Sequence, residues 1–308
     1  MWDEMMSMWW YGLEEWHPEG MPHVAKIARK PRGIGMEMTC VADGITGIML
    51  FLEICESKED MSCKKFTGPN VNKSTATTLR LTEQWFGSWR IIVGDSWFAS
   101  VATAIALYEH CLYFIGLVKT GYREFPKKYL SLHAFANERN VRGATAVLCS
   151  PHTSRSVGTF RLMATAWNEP GPKKPSAPKK LFIHTVGSDI DAADIIRKRV
   201  TITEGGEVRQ YERHIRTTET VDTYFTHANK VDVHNHLRQG GLALEENRRT
   251  LHWEKRVFQT LLGVIEVNAY LAFTYFTRKC MSHSQFVSAV CAALVEKAQY
   301  VYMAETQD

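Results

Sequence analysis

Asp95 closes a short β-branched run, Trp89-Arg90-Ile91-Ile92-Val93-Gly94, and stands just before a helical pattern that begins at Ser100. Ligands of open α/β sheets collect at the carboxyl ends of strands, so a carboxylate there is well placed to hold a metal ion. Aspartate is also a common helix cap, and the position alone does not choose between these roles. Two further aspartates, Asp3 and Asp232, lie far away on either side, so any shared site needs a fold that gathers them. His234 and His236 form a His-x-His pair, but no cysteine accompanies them. The seven cysteines are scattered and never form CxxC, which argues against a disulfide scaffold or a cysteine zinc site and for a reducing compartment.

Charge is uneven along the chain. From Lys119 to Lys180 there are 12 Lys and Arg against 3 Asp and Glu, although the whole protein carries only +4. A basic segment on a mildly acidic body suits phosphate binding, and equally a solvated loop. Lys119 and Arg123, just past a strand, are candidate phosphate contacts. Lys173, Lys174, Lys179 and Lys180 flank a proline-rich stretch that reads as an exposed linker. The tryptophans Trp9, Trp10, Trp16, Trp85, Trp89 and Trp97 fit a core better than a base-stacking platform.

At 308 residues, 45% hydrophobic and 23% charged, the chain is an ordinary globular one. The start lacks the basic-then-apolar order of a signal peptide, and the apolar stretch 261–276 is too short to span a bilayer. A soluble intracellular protein, with no membrane partner, is expected. Alternation over 34–42 and 47–55 predicts a β-hairpin, and Ser74 or Thr75 is expected to cap a helix reaching about Gln84. A strand at 89–93, a helix over 100–111 and a strand at 113–118 make a strand–helix–strand unit of the kind that gives parallel pairs. Further strands are expected at 141–149, 159–166 and 181–186. A long helix from Trp253 to about Tyr275 carries Trp253, Val257, Leu261, Ile265, Asn268 and Ala272 along one stripe, and the last thirty residues read as a helix. The fold class is α/β.

Several short motifs, in order, resemble the piggyBac-type transposase domain. They are Asp3-Glu4-Met5; Lys30-Pro31-Arg32-Gly33-Ile34-Gly35; Asp95-Ser96-Trp97-Phe98-Ala99-Ser100; and Gly116 with Lys119-Thr120, Arg123 and Pro126. Val231-Asp232-Val233-His234-Asn235, then Trp253, Arg256-Val257-Phe258 and Asn268-Ala269-Tyr270, close the series, so the resemblance covers about 1–277. It implies an RNase H-like mixed sheet flanked by helices, with Asp3, Asp95 and Asp232 as the catalytic aspartates. These would hold two divalent ions, Mg²⁺ or alternatively Mn²⁺, for cleavage and strand transfer at transposon ends. The implied partners are transposon and target DNA, the target being TTAA; a homodimer and a nuclear location are also expected.

The chain departs from that pattern in three ways. Asn235 stands where the family usually has another aspartate, which predicts weaker metal binding. Asp3 lies so near the start that the first central strand is expected to be missing. Neither a cysteine-rich finger nor an N-terminal DNA-binding region is present, so the chain reads as truncated and of doubtful activity. The expected organisation is a catalytic core over 1–125 and 207–277, a β-rich basic insertion over 126–206, and a helix over 278–308. The alternative to an enzyme is a non-catalytic remnant, or a DNA- or protein-binding module recruited by the host.

Overall fold

The structure is a computed structural model that describes residues 2–8, 23–27, 34–130, 143–168, 179–187, 194–204, 207–240, 242–248, 250 and 252–305. In chain order the elements are β1 (Trp2–Met8), β2 (Val24–Lys26), β3 (Ile34–Ala42), β4 (Met49–Ile54), α1 (Lys58–Ser62), α2 (Lys73–Thr82), β5 (Ile91–Gly94), α3 (Val101–Glu109), β6 (Tyr113–Val118) and α4 (Lys127–Tyr129). They continue with β7 (Thr145–Ser154), β8 (Gly158–Asn168), β9 (Lys179–His184), β10 (Asp194–Glu204), β11 (Glu207–Thr217), α5 (Glu219–His227), α6 (Lys230–Gly240), α7 (Leu244–Asn247), α8 (Trp253–Thr277) and α9 (His283–Glu305). The chain divides into two compact units, residues 62–228 and residues 2–61 with 229–308.

In the first unit β5 and β6 pair in parallel, Gly94 facing Gly116. β6 then pairs antiparallel with β9, β9 with β8, and β8 with β7. The strands expected at 141–149, 159–166 and 181–186 therefore correspond to β7, β8 and β9, and they extend the sheet that β5 and β6 begin. Phe114, Phe182 and Leu112 are fully buried, as is Leu107 of α3, and α3 and α5 both pack on β6. α3 starts where Ser100 accepts the Thr103 amide at 3.0 Å. The cap of α2 is Asn72, not Ser74 or Thr75: its Oδ1 accepts the Thr75 amide at 2.7 Å. Asparagine competes well with serine at this position, and the sequence reading, which weighed only Ser74 and Thr75, passed over it. β10 and β11 form a separate two-stranded ribbon, eleven residues on each side; the sequence pattern did not reveal it.

In the second unit β3 is the central strand. β1 lies along one edge of β3, while β2 pairs with its start and β4 with its end. The β3–β4 pairing is the expected hairpin. The expected loss of the first strand is corrected here, because β1 runs through Asp3 and continues to Met8. Reading only the residues before Asp3 missed that Met5, Met6 and Ser7 after it are buried and make the ladder themselves.

α6 and α8 pack on β1, and α9 packs on α8 through Phe286, whose ring meets Tyr270 and Phe273. The stripe expected to bury α8 is also corrected. Its buried residues are Arg256, Gln259, Thr260, Gly263, Val264 and Val267, while Leu261 and Ile265 are 40% and 62% exposed. This helix is apolar on most sides, so periodicity could not identify the inward face; polar matching to β1 does. The hydroxyls of Thr260 and Ser7 are hydrogen-bonded at 2.7 Å. By length and hydropathy alone α8 would pass for a membrane span, but its buried Arg256 and Gln259 are those of a helix packed in a protein core. Residues 291–299 of α9 are exposed on every side.

Candidate active site

Asp3 sits on β1 directly opposite Cys40 of β3, and the Cys40 thiol donates to the Asp3 carbonyl oxygen at 3.2 Å. Side chains alternate along a strand, so Asp3 shares a face with Met5 and Ser7. That is the face on which α8 sets Thr260 against Ser7. Asp3 is half-buried there.

Asp232 lies in the first turn of α6, which packs on β1 and β3. Val231, His234 and Arg238 form the buried stripe of this helix; Asp232 is exposed on its flank, with Asn235 one turn on. Asn235 Oδ1 accepts from the Arg238 guanidinium at 3.5 Å. His234, fully buried, approaches Asn268 Oδ1 at 3.2 Å through Nε2. Asn268 Oδ1 also accepts the Met49 amide, so it can only be an acceptor, and His234 must carry its proton on Nε2. Burial holds the His234 imidazole down at about 4, with the nearby Arg238 charge adding to the effect. A buried neutral His234 turned toward Asn268 is a structural histidine, and His236 beside it is exposed.

Asp95, in the other unit, follows β5. Its Oδ1 accepts the Trp97 amide at 2.9 Å and its carbonyl accepts the Ala99 amide at 3.0 Å, which folds 95–99 into a tight turn ahead of α3. Gly116, facing Gly94 on β6, leaves room for that turn: a Cβ there would lie 2.7 Å from the Ala99 Cβ and 2.4 Å from the Phe114 ring. Because β5 and β6 are parallel, exposed Lys119 and Arg123 leave the sheet at the same end as Asp95. Tyr122 fastens their loop, accepting the Val101 amide at 3.0 Å and donating to Glu124. Burial and the Glu124 hydrogen bond push its phenol up to about 12. The sequence reading missed this clamp, since nothing in the spacing ties Tyr122 to the start of α3.

Of the other basic candidates, Lys173 and Lys174 lie outside the described residues, and Lys179 and Lys180 begin β9. Trp85 and Trp97 are half-buried, Trp89 is 42% exposed, and Trp9, Trp10 and Trp16 lie outside the described residues. A cavity of about 620 Å³ in the first unit is lined mainly by Val101, Ile105, Leu148, Leu162 and Met163, with Glu124 at its side. Its apolar walls do not suit phosphate chemistry.

Among the described residues no three Asp, Glu, His or Cys side chains are grouped to hold a metal ion. Asp3 and Asp232 belong to one unit and Asp95 to the other. The donor types fit a hard divalent cation: carboxylate oxygens, and the amide oxygen of Asn235.

Comparison with known proteins finds a family and a fold. The profile of the family described as Transposase IS4 matches residues 16–270. A solved structure, described as a cryo-EM structure of piggyBac transposase synaptic complex with hairpin DNA, superposes with a TM-score of 0.62 at 18% identity. The match takes in 94% of this chain and 50% of that one, so the chain spans about half the length of the transposase it resembles. No curated protein matches.

Proposed function

The chain belongs to the Transposase IS4 family, and from that premise we propose that it is the catalytic core of a piggyBac-like DNA transposase. The observation that carries this reading is the placement of Asp3 on the β1 face that α6 and α8 cover, with Asp232 in the first turn of α6. Asp95 occupies the carboxyl end of a parallel strand, where the general rule for α/β sheets puts ligands. The fold likeness to piggyBac transposase supports an RNase H-like core of this kind.

Asp3, Asp95 and Asp232 would hold the cations, with Mg²⁺ the hard ion suited to oxygen donors and Mn²⁺ its substitute. Two such ions, when bound, stabilise charge on the entering and leaving oxygens of an in-line displacement at phosphorus. The chain's own residues have separate tasks. Lys119 and Arg123 neutralise DNA phosphates at the Asp95 end of the sheet, Tyr122 holds their loop, and the 95–99 turn fixes the Asp95 carboxylate. DNA is the proposed partner, as in the complex named for the structural relative. Homodimerisation and a nuclear site of action complete the proposal.

A second reading is favoured by Asn235, which brings an amide where a carboxylate would add negative charge: a transposase-derived DNA-binding module without catalysis. Nicking of supercoiled plasmid by the full chain in Mn²⁺ separates the two. Loss of nicking in each of Asp3→Asn, Asp95→Asn and Asp232→Asn supports the enzyme. DNA binding without nicking in the unaltered chain supports the module.

A further inference from the structure

We propose that Arg238 is a positioning residue that sets Asp232 against β1. The inference rests on the metal-site reading above, and its observations lie within one unit. Arg238 is 4% exposed and lies six residues after Asp232 on α6. One arm of its guanidinium, Nη2, donates to the Met6 carbonyl of β1 at 3.2 Å, three residues past Asp3. The other, Nη1, pairs with the Glu245 carboxylate on α7. Its aliphatic stem lies along α8 at Gly263, where a Cβ would come within 3.0 Å of Arg238 Cγ. One side chain therefore joins α6 to the strand that carries Asp3, to α7 and to α8.

The fork of arginine is suited to this, because two separate donors reach acceptors on two different elements; a lysine would serve one. Glu245 in turn is tied to α8, its carbonyl accepting from buried Arg256. The guanidinium remains charged at neutral pH although burial holds it down to about 10. His234 supplies a second anchor one turn earlier, through Asn268. A helix is stiff over this distance, with Asp232 about 9 Å along the axis from Arg238 at 1.5 Å per residue. Fixing 234 and 238 on the buried stripe therefore fixes 232 and 235 on the flank. Asp232 projects from an exposed turn, and the buried anchors govern where it stands.

The test compares the full chain with Arg238→Met/Glu245→Gln, which removes the ion pair without leaving a buried orphan charge, and with Thr260→Val as a control. Thr260 hydrogen-bonds to Ser7 of β1 and takes no part in the Arg238 hydrogen bonds, so its loss reports stability. Mn²⁺ affinity is measured by metal titration with no DNA present, and amide hydrogen exchange is followed over 231–236 and over 38–41. The expected result is at least tenfold weaker Mn²⁺ binding and faster exchange at 231–236, with 38–41 protected as before. Thr260→Val should lower the melting temperature and leave Mn²⁺ affinity unchanged. Unaltered Mn²⁺ affinity in the double variant, or an equal loss of protection in 231–236 and 38–41, overturns the proposal. If the double variant does not fold, Arg238→Lys, which keeps the charge but not the fork, is read the same way. If the unaltered chain binds no Mn²⁺, or Asp232→Asn binds it equally well, the metal-site reading has failed instead; unchanged exchange at 231–236 then still overturns the role of Arg238.

Discussion

Asn268 pairs with Met49 through both edges of its amide, accepting the backbone N–H at 2.8 Å and donating to the backbone carbonyl at 3.0 Å. The side chain thus stands in for a neighbouring strand at the start of β4 and holds α8 to it. Asn268→Leu leaves two backbone groups without these partners and should cost about 2 kcal/mol, given that an unsatisfied buried group costs roughly 1–3 kcal/mol. Denaturant unfolding measures this; a change below half a kcal/mol would mean water replaces the amide.

Acid should weaken the fold through His234. Its folded pKa is depressed to about 4, against about 6.5 in an unfolded chain. Above pH 6.5 both states are neutral and the residue contributes no pH dependence. As pH falls from 6.5 to 4 the unfolded state takes a proton that the folded state refuses, and up to about 3 kcal/mol of stability is lost. His234→Gln, which keeps a donor toward Asn268, should flatten that part of the stability–pH curve. Parallel curves for both proteins between pH 7 and 4.5 would contradict it.

Gly116→Ala should displace the Asp95 turn. The added Cβ would fall within 2.7 Å of Ala99, and overpacking of a buried site costs about 1–3 kcal/mol. The melting temperature should drop, and Mn²⁺-dependent nicking should fall further than the loss of folded protein explains. Nicking that tracks only the folded fraction would separate Gly116 from the site.

Asn235→Asp places a carboxylate beside Asp232 and within reach of Arg238. Mn²⁺ affinity should rise on the order of tenfold, in the range that residues around a metal site usually command. A titration giving equal or weaker binding would place position 235 outside the coordination.

Lys119→Gln with Arg123→Gln should weaken binding to all DNA sequences alike. Two lost phosphate contacts reduce the slope of log K against log salt by about 2. An unchanged slope would leave the pair as solvated surface.

Much of the fold was legible in the sequence, and the exceptions share a cause. β5, α3 and β6 were readable because a β-branched run, the Ser100 cap and a second apolar run follow one another. β1 was not, since Trp2-Asp3-Glu4-Met5-Met6-Ser7-Met8 has little β-branching and its strand is specified by pairing with β3. β10 carries Ile195, Ile196, Val200 and Ile202, but Arg197-Lys198-Arg199 and the charge-rich β11 break up the apolar pattern, and the pairing of the two strands is supplied by the fold. Asp95 stood out by its place at a strand end. The roles of Arg238, His234 and Asn268 did not, because Met6, Glu245 and Met49 are partners that folding supplies, some more than two hundred residues away.

α9 changes character along its length. Its first turns are fixed against α8 by His283 on Glu266 and Phe286 on Tyr270 and Phe273, whereas 291–299 meets solvent on all sides. That stretch, Cys-Ala-Ala-Leu-Val-Glu-Lys-Ala-Gln, is made largely of good helix formers, and intrinsic preference alone maintains it. Short helices sustained this way are marginal in water, so the outer turns will fray while the inner ones persist. A single continuous element thus contains its own melting boundary, near Val290.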